Sequence, residues 1–324
     1  MQEIDNKNQF KGFDDRIDLR ELFFILIKGK KVIISFTAFL SIIGLIYSLM
    51  LPNIYESETL LVSVDSSAND SFSGALRSYS GLAGLAGINL PTGSNNSNSA
   101  KAIETMSSLS FFENNIMPKI FLPDLMAIKS WNYETNSITY DNDIFDVNSN
   151  KWVRDFSYPE KLIPSAQESF EEYIDDHINV IEDKETGFVS LSVKHQSPYL
   201  AKQWADLIVE EVNTFYRLKD KAESEKAVAY LNEQMALTRL SETKQVIAEL
   251  IQKEIQKLTL IEANEAYVFD YIYPPSVMER NSEPSRVLIF FLFTFLGFVI
   301  GALIILFKNY SFVEEKEITE QIGN

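Results

Sequence analysis

Few side chains in this sequence are placed to do chemistry. Glu171, Glu172, Asp175 and Asp176 crowd one short stretch, and a carboxyl pair about 5–9.5 Å apart is what glycoside hydrolysis needs. Residues four apart on a helix share a face, so Glu171 and Asp175 equally make an ordinary solvated surface. His177 and His195 are the only histidines and cysteine is absent, which leaves no thiolate nucleophile and no His- or Cys-rich metal site. His195, at the end of VKHQSP, and His177, at a helix–strand junction, read as capping or core residues. Neither G-x-x-x-x-G-K-[ST] nor G-x-S-x-G occurs, so a phosphate-cradling loop and a nucleophile elbow are both missing. The reading is a non-enzymatic chain with no catalytic residue, no cofactor and no metal.

Two apolar runs organise the rest. Residues 32–51 and 287–307 are twenty and twenty-one residues long without a charge. At about 1.5 Å per residue, each crosses a hydrocarbon layer roughly 30 Å thick as a helix. Lys28, Lys30 and Lys31 precede the first run, and Glu56 and Glu58 follow it, so the positive-inside rule puts the N-terminus in the cytoplasm. The flank before the first run is long for a cleaved signal, and no A-x-A site follows. The chain then divides into a cytoplasmic tail and juxtamembrane helix (1–31), a first span (32–51), an outer domain (52–286), a second span (287–307) and a cytoplasmic tail (308–324). Gly297 and Gly301 form G-x-x-x-G in the second span, and Gly44 and Ser48 form a small pair in the first. Such spacings let helices approach closely, whether two spans of one chain or spans of neighbouring protomers.

The outer domain holds 36 acidic and 20 basic residues, a formal charge of −16 out of −17 for the whole chain. That field argues against a nucleic-acid partner and is repelled by anionic head groups.

Along the chain, Asp14–Ile27 has the pattern of an entry helix with carboxylates at its start. Tyr55–Val64 alternates as a strand. Residues 66–99 are crowded with Ser, Gly and Asn and predict a loop. Within it the small, apolar Gly81–Leu90 either packs locally or forms a membrane-hugging or ring-lining segment. Helical spacing runs through Ile103, Met106, Leu109, Phe112 and Ile116 towards Pro118. Residues 124–165 read as aromatic-rich turns covering the core. Ser165 and Glu168 have capping-box spacing at the start of a helix to Asp176, and residues 178–193 read as an antiparallel hairpin around Thr186 and Gly187. Val268–Tyr273 is a last strand returning beside the first. Pro274, Pro275 and Pro284 then make a rigid exit towards the second span.

Ser197-Pro198 has the signature of a helix start, and neither glycine nor a further proline interrupts the sequence up to about Ala266. One helix over 198–266 would reach about 100 Å. Leu240, Ile247, Ile251, Ile255 and Leu258 recur along it at helical spacings, and a lone helix cannot bury such a stripe. The stripe is expected to pack the stalk, against its own domain near the base and against identical copies further out. The fold class that follows is α/β (α+β): an outer, periplasmic domain with a membrane-proximal mixed sheet and one very long projecting helix, flanked by two transmembrane helices.

Taken in order, IDLRELFFILIKGKK before the first span, PNIYESETLLVS after it, GLAGLAGI, the long helix, then YVFDYIYPP and PSR before a glycine-bearing span resemble the chain-length determinant proteins. These are the Wzz-like polysaccharide co-polymerases of bacterial inner membranes. The resemblance implies a two-pass inner-membrane protein, both termini cytoplasmic, assembled as a homo-oligomeric ring. It implies a regulator of the modal length of lipopolysaccharide O-antigen or a similar glycan. The partners implied are further copies of the chain, a membrane O-antigen polymerase, lipid-linked polysaccharide and membrane lipid. Co-polymerases of capsule and exopolysaccharide export carry a tyrosine kinase after the second span; no Walker motif or tyrosine cluster follows here, so the likeness is to the kinase-free O-antigen type. The long helix runs almost directly into VFDYIY, where enteric relatives are expected to place more chain, so ring size does not carry over. A structural subunit of a capsule or exopolysaccharide export complex is the alternative. A two-span sensor would need a larger cytoplasmic output.

Overall fold

The structure, a computed structural model, describes residues 19–64 and 98–322. The expected beginning of the entry helix at Asp14 and the loop at 66–97, with Gly81–Leu90, lie outside them. The chain divides into two compact units: Asn53–Ser282, and the chain on either side of it.

Helix α1 (Leu19–Lys28) stops at Gly29, whose φ of −91° and ψ of 7° offset it from α2 (Lys30–Met50). Within α2 the hydroxyls of Thr37 and Ser41 donate to the carbonyls one turn back, of Ile33 and Thr37, so these polar groups are satisfied inside an apolar helix. Leu51 turns extended, as the residue before a proline must.

In the second unit β1 (Tyr55–Ser63) comes first. The helix expected through 100–120 is broken into α3 (Asn98–Met106), α4 (Leu109–Phe111), a π turn (Phe112–Ile116) and a 3₁₀ turn (Met117–Lys119). Ser107-Ser108 is the cause: the Ser108 hydroxyl donates to Thr105 O at 2.7 Å and accepts from Phe111 N–H at 3.3 Å, closing one helix and capping the next. Met106, Phe112 and Ile116 are buried, whereas Leu109 remains 37% exposed. After α5 (Leu122–Met126), the stretch expected as turns contains two short hairpins, β2 (Ile128–Asn132) with β3 (Ser137–Tyr140) and β4 (Phe145–Asp146) with β5 (Lys151–Trp152). Ser165 caps α6 (Ala166–Glu172), accepting from Glu168 N–H at 3.2 Å, and a π turn (Tyr173–His177) leads into β6 (Ile178–Glu182). Gly187, at φ 71°, turns the chain into β7 (Val189–His195). Helix α7 (Pro198–Leu237) is capped by Ser197; α8 (Ser241–Ala263), β8 (Phe269–Tyr273) and, in the first unit, α9 (Arg286–Ile322) complete the chain. Helix α9 continues past Phe307, where the second span was expected to end.

The four-stranded sheet has the order β6-β7-β1-β8. Every pairing in it is antiparallel, which corrects the expected mixed sheet. The reason is connectivity: β6 and β7 are a hairpin, and β8 brings the chain back against the strand that brought it in. On one face α7 lays Trp204, Ala205, Ile208, Val209 and Val212 over Leu61, Leu191 and Val193, and Phe112 and Tyr173 join the same core. Each of the larger aliphatic side chains among these contributes about 1.5–3 kcal/mol by leaving water.

The single helix over 198–266 is the second correction. Helix α7 ends at Leu237, Thr238 and Leu240 are extended, and α8 packs back along α7. Lys221 pairs with Glu262, and the Tyr267 hydroxyl donates to Asp220 at 2.5 Å, contacts that require the two arms to run side by side. No glycine or proline makes the break; the apolar stripe does. Ile247 and Ile261 are 8% and 1% exposed, buried against the chain's own first arm.

Candidate functional site

The glycines of the apolar helices sit where α2 and α9 touch. A Cβ added to Gly297 would lie 2.8 Å from Thr37 Cα and 3.0 Å from Phe36 O; on Gly301 it would lie 2.9 Å from Ile33 Cα. On Gly44 it would meet Phe293 Cβ at 2.5 Å, and Gly29 is covered by Ile305. Only hydrogen in place of Cβ permits this approach. Ser41 and Thr294 share a hydrogen bond of 2.8 Å across the pair, and Ser48 is buried with its hydroxyl lacking a protein partner. These residues pack the two apolar helices of one chain against each other. Lys30–Met50 and Arg286–Lys308, with mean hydropathy 2.3 and 2.9, are long and apolar enough to cross a membrane.

The exit from the unit Asn53–Ser282 is laced to β1. Thr59 and Ser57, both buried, donate from their hydroxyls to Tyr273 O at 2.7 Å and Ser276 O at 2.9 Å, and Ser282 N–H donates to Ile54 O at 2.8 Å. Pro274 is exposed and Pro275 buried between those ties. Pro284 lies in the other unit, two residues before α9. The strand's inward face is therefore largely hydroxyl, and the exit segment accepts from two of its three buried hydroxyls, those of Ser57 and Thr59.

On α8 the residues singled out as stalk packing separate. Ile247 is buried and Ile251 and Leu258 are half-buried, while Ile255 is 50% and Leu240 71% exposed. The packed line is Ile247, Ile251, Leu258 and Ile261, alternating four, seven and three, with Ile255 one position off it.

Sequence reasoning missed the polar ties that hold α7 in place. Asn213, buried on α7, accepts from the N–H groups of Val268 and Phe269 at 2.8 and 2.9 Å and donates to Phe269 O at 2.9 Å. Glu211, also buried, pairs with Lys119. An apolar-periodicity scan passes over both because they interrupt the stripe. The signal available was a polar pair, Glu211 and Asn213, amid residues that otherwise face the core.

His195 sits between three elements. Ser197 N–H, at the start of α7, donates to its Nδ1 at 2.8 Å, so Nε2 carries the proton and donates to Asp124 O at 3.1 Å. Burial pushes its pKa down to about 4, with His177 adding to the shift. His177 donates from Nδ1 to Lys194 O at 2.7 Å and is likewise pushed down by burial. Asp124, raised by burial, accepts from the Tyr140 hydroxyl at 2.6 Å. Glu171 and Asp175 are exposed, and Glu172 is raised by partial burial, with Asp176 and Asp175 adding to it. Among the described residues no cluster of three or more His, Cys, Asp or Glu could hold a metal ion.

Residues 15–116 match the family profile of Wzz, the chain length determinant protein. None of the curated proteins matches the chain. Among solved structures, a full-length bacterial polysaccharide co-polymerase is 14% identical, over 90% of this chain and 98% of its own, with a TM-score of 0.38. A fragment of WzzB, the polysaccharide co-polymerase from Salmonella Typhimurium, is 17% identical, over 71% of this chain and 100% of its own, with a TM-score of 0.30.

Proposed function

We propose that this chain, Wzz-like over residues 15–116, sets the length of lipopolysaccharide O-antigen, or of a similar surface polysaccharide, as an oligomeric co-polymerase beside a membrane glycan polymerase. The observation that carries the reading is the match of residues 15–116 to the chain length determinant family, a family of non-catalytic regulators of polysaccharide length. Two helices long and apolar enough to cross a membrane support the anchoring that this reading requires. In the proposed topology both termini are cytoplasmic and residues 52–286 lie in the periplasm, with the lysines before the first span holding the N-terminus inside.

A regulator without chemistry of its own acts by binding, spacing or confining. It holds the polymerase, the growing glycan or both, and so biases how many additions occur before release. Deleting the gene and resolving the surface polysaccharide by electrophoresis tests this: polymer is expected to persist with its preferred length gone. Disappearance of the polymer would instead assign the chain to an export complex for capsule or exopolysaccharide.

A further inference from the structure

Building on the co-polymerase reading, we infer that a groove beside the start of α7 binds a short stretch of the glycan itself. The groove encloses about 500 Å³ and is lined in part by Lys119, Tyr199, Lys202, Gln203, Asp206 and Glu210, within the roughly 300–1,000 Å³ typical of ligand sites. None of these residues belongs to a motif that sequence reading singled out.

Three features select the ligand. First, the lining charges are of both signs and interleaved. A polyanion would meet Asp206 and Glu210, and a polycation Lys119 and Lys202, whereas a hydroxyl both donates and accepts and so finds partners in either set. The amide of Gln203 adds a donor and an acceptor in one plane. Second, several of these groups are held before any ligand arrives. Lys202 donates to Asp206 Oδ2 at 2.6 Å, and Lys119 is tied to the buried Glu211. Groups already ordered lose little freedom on binding, which favours recognition of a weakly interacting, hydroxyl-rich chain.

Third, Tyr199 supplies an aromatic surface. It is 50% exposed, yet its ring rests against Trp131 at 6.4 Å between centroids, and Trp131 packs edge-on against Tyr55 at 5.5 Å. A ring fixed by its neighbours and still half open to water can receive the apolar C–H face of a pyranose, while its hydroxyl remains free to bond. Apolar platform, planar amide and sign-balanced charges together fit an uncharged or weakly charged oligosaccharide segment better than a phosphate or an acidic peptide.

The test uses full-length protein in nanodiscs, titrated with delipidated polysaccharide released from the same cells by mild acid. Saturation-transfer NMR on the sugar and tryptophan emission, to which Trp131 contributes, report binding. Saturable binding is expected. Tyr199→Ala and Gln203→Ala are each expected to weaken it about tenfold, near 1.4 kcal/mol. Tyr158→Ala, at a tyrosine 97% exposed elsewhere on the unit, is expected to leave it unchanged. Thermal melts matching the parent would confirm that the variants are folded. Absence of saturable binding, or binding that survives both groove substitutions, overturns the inference and leaves length regulation standing. Length regulation falls separately, if the deletion strain keeps its length distribution.

Discussion

Asn213 engages both backbone groups of Phe269: its Nδ2 donates to the carbonyl and its Oδ1 accepts from the N–H, each at 2.9 Å. A side chain on α7 thus acts as a fragment of strand for the start of β8, the edge of the sheet. Val268 N–H bonds to the same oxygen. Asn213→Leu keeps the branched shape and the number of side-chain heavy atoms and leaves three buried backbone groups unpaired. The expected loss is about 2–4 kcal/mol of unfolding free energy, since each orphaned group costs about 1–3 kcal/mol less what water recovers. Denaturant unfolding of the purified protein measures it.

The fold-back of α8 makes a distance prediction. Spin labels on Lys221→Cys and Glu262→Cys, in a chain with no cysteine of its own, are expected within about 20 Å of each other by pulsed dipolar spectroscopy, because the two residues form an ion pair. A continuous helix would separate the same positions by about 60 Å at 1.5 Å per residue.

Packing along that hairpin is expected to discriminate between neighbouring apolar positions. Ile247→Ala and Ile261→Ala, at 8% and 1% exposure, should each cost about 2–4 kcal/mol. Leu240→Ala, at 71% exposure, should change thermal stability by less than about 0.5 kcal/mol.

Acid should destabilise the unit Asn53–Ser282 through His195. Its imidazole titrates near 6.5 when unfolded and near 4 when buried, so between those values the unfolded chain binds more protons. The stabilisation is complete above pH 6.5 and is lost as pH falls to 4, by at most about 3 kcal/mol for this residue. His177, also pushed down by burial, adds in the same direction. Unfolding free energies at pH 7.5, 5.5 and 4 check the sign, and His195→Asn should flatten the dependence.

Between the apolar helices, Ser41→Cys with Thr294→Cys should form an intrachain disulfide on oxidation, because the native hydroxyls stand 2.8 Å apart. Adding Gly301→Leu should suppress it, since a Cβ there meets Ile33 Cα at 2.9 Å, a backbone atom that cannot move alone. Crosslinking that persists in the triple variant would contradict close packing at this glycine.

Much of this architecture was legible in the residues themselves. Alternation in YESETLLVS, the Ser165 and Ser197 caps and the Gly187 turn are local devices, and each appears where its chemistry requires. The hairpin of α7 and α8 was not read, although the sequence contains an argument for it. A straight helix over 198–266 would end about 100 Å from its start, while VFDYIY, only two residues later, has to pair with β1. No residue between Leu237 and Ser241 is a helix breaker, so propensity was silent and only closure of the chain could decide. The mixed sheet failed for a related reason: pairing direction follows from where strands enter and leave. Glu211 and Asn213 stand out in the sequence as polar residues on a core-facing stretch, but their partners and the groove at Tyr199 do not, because these depend on residues far apart in sequence meeting across α7.

The most direct test of the proposed role restores the gene to a deletion strain from an inducible promoter and follows the surface polysaccharide ladder as expression rises. The expected result is a preferred length that re-emerges while total polymer stays constant, because the chain biases when additions stop. If total polymer rises with expression and its length distribution stays unchanged, the chain governs supply or export, and length regulation is contradicted.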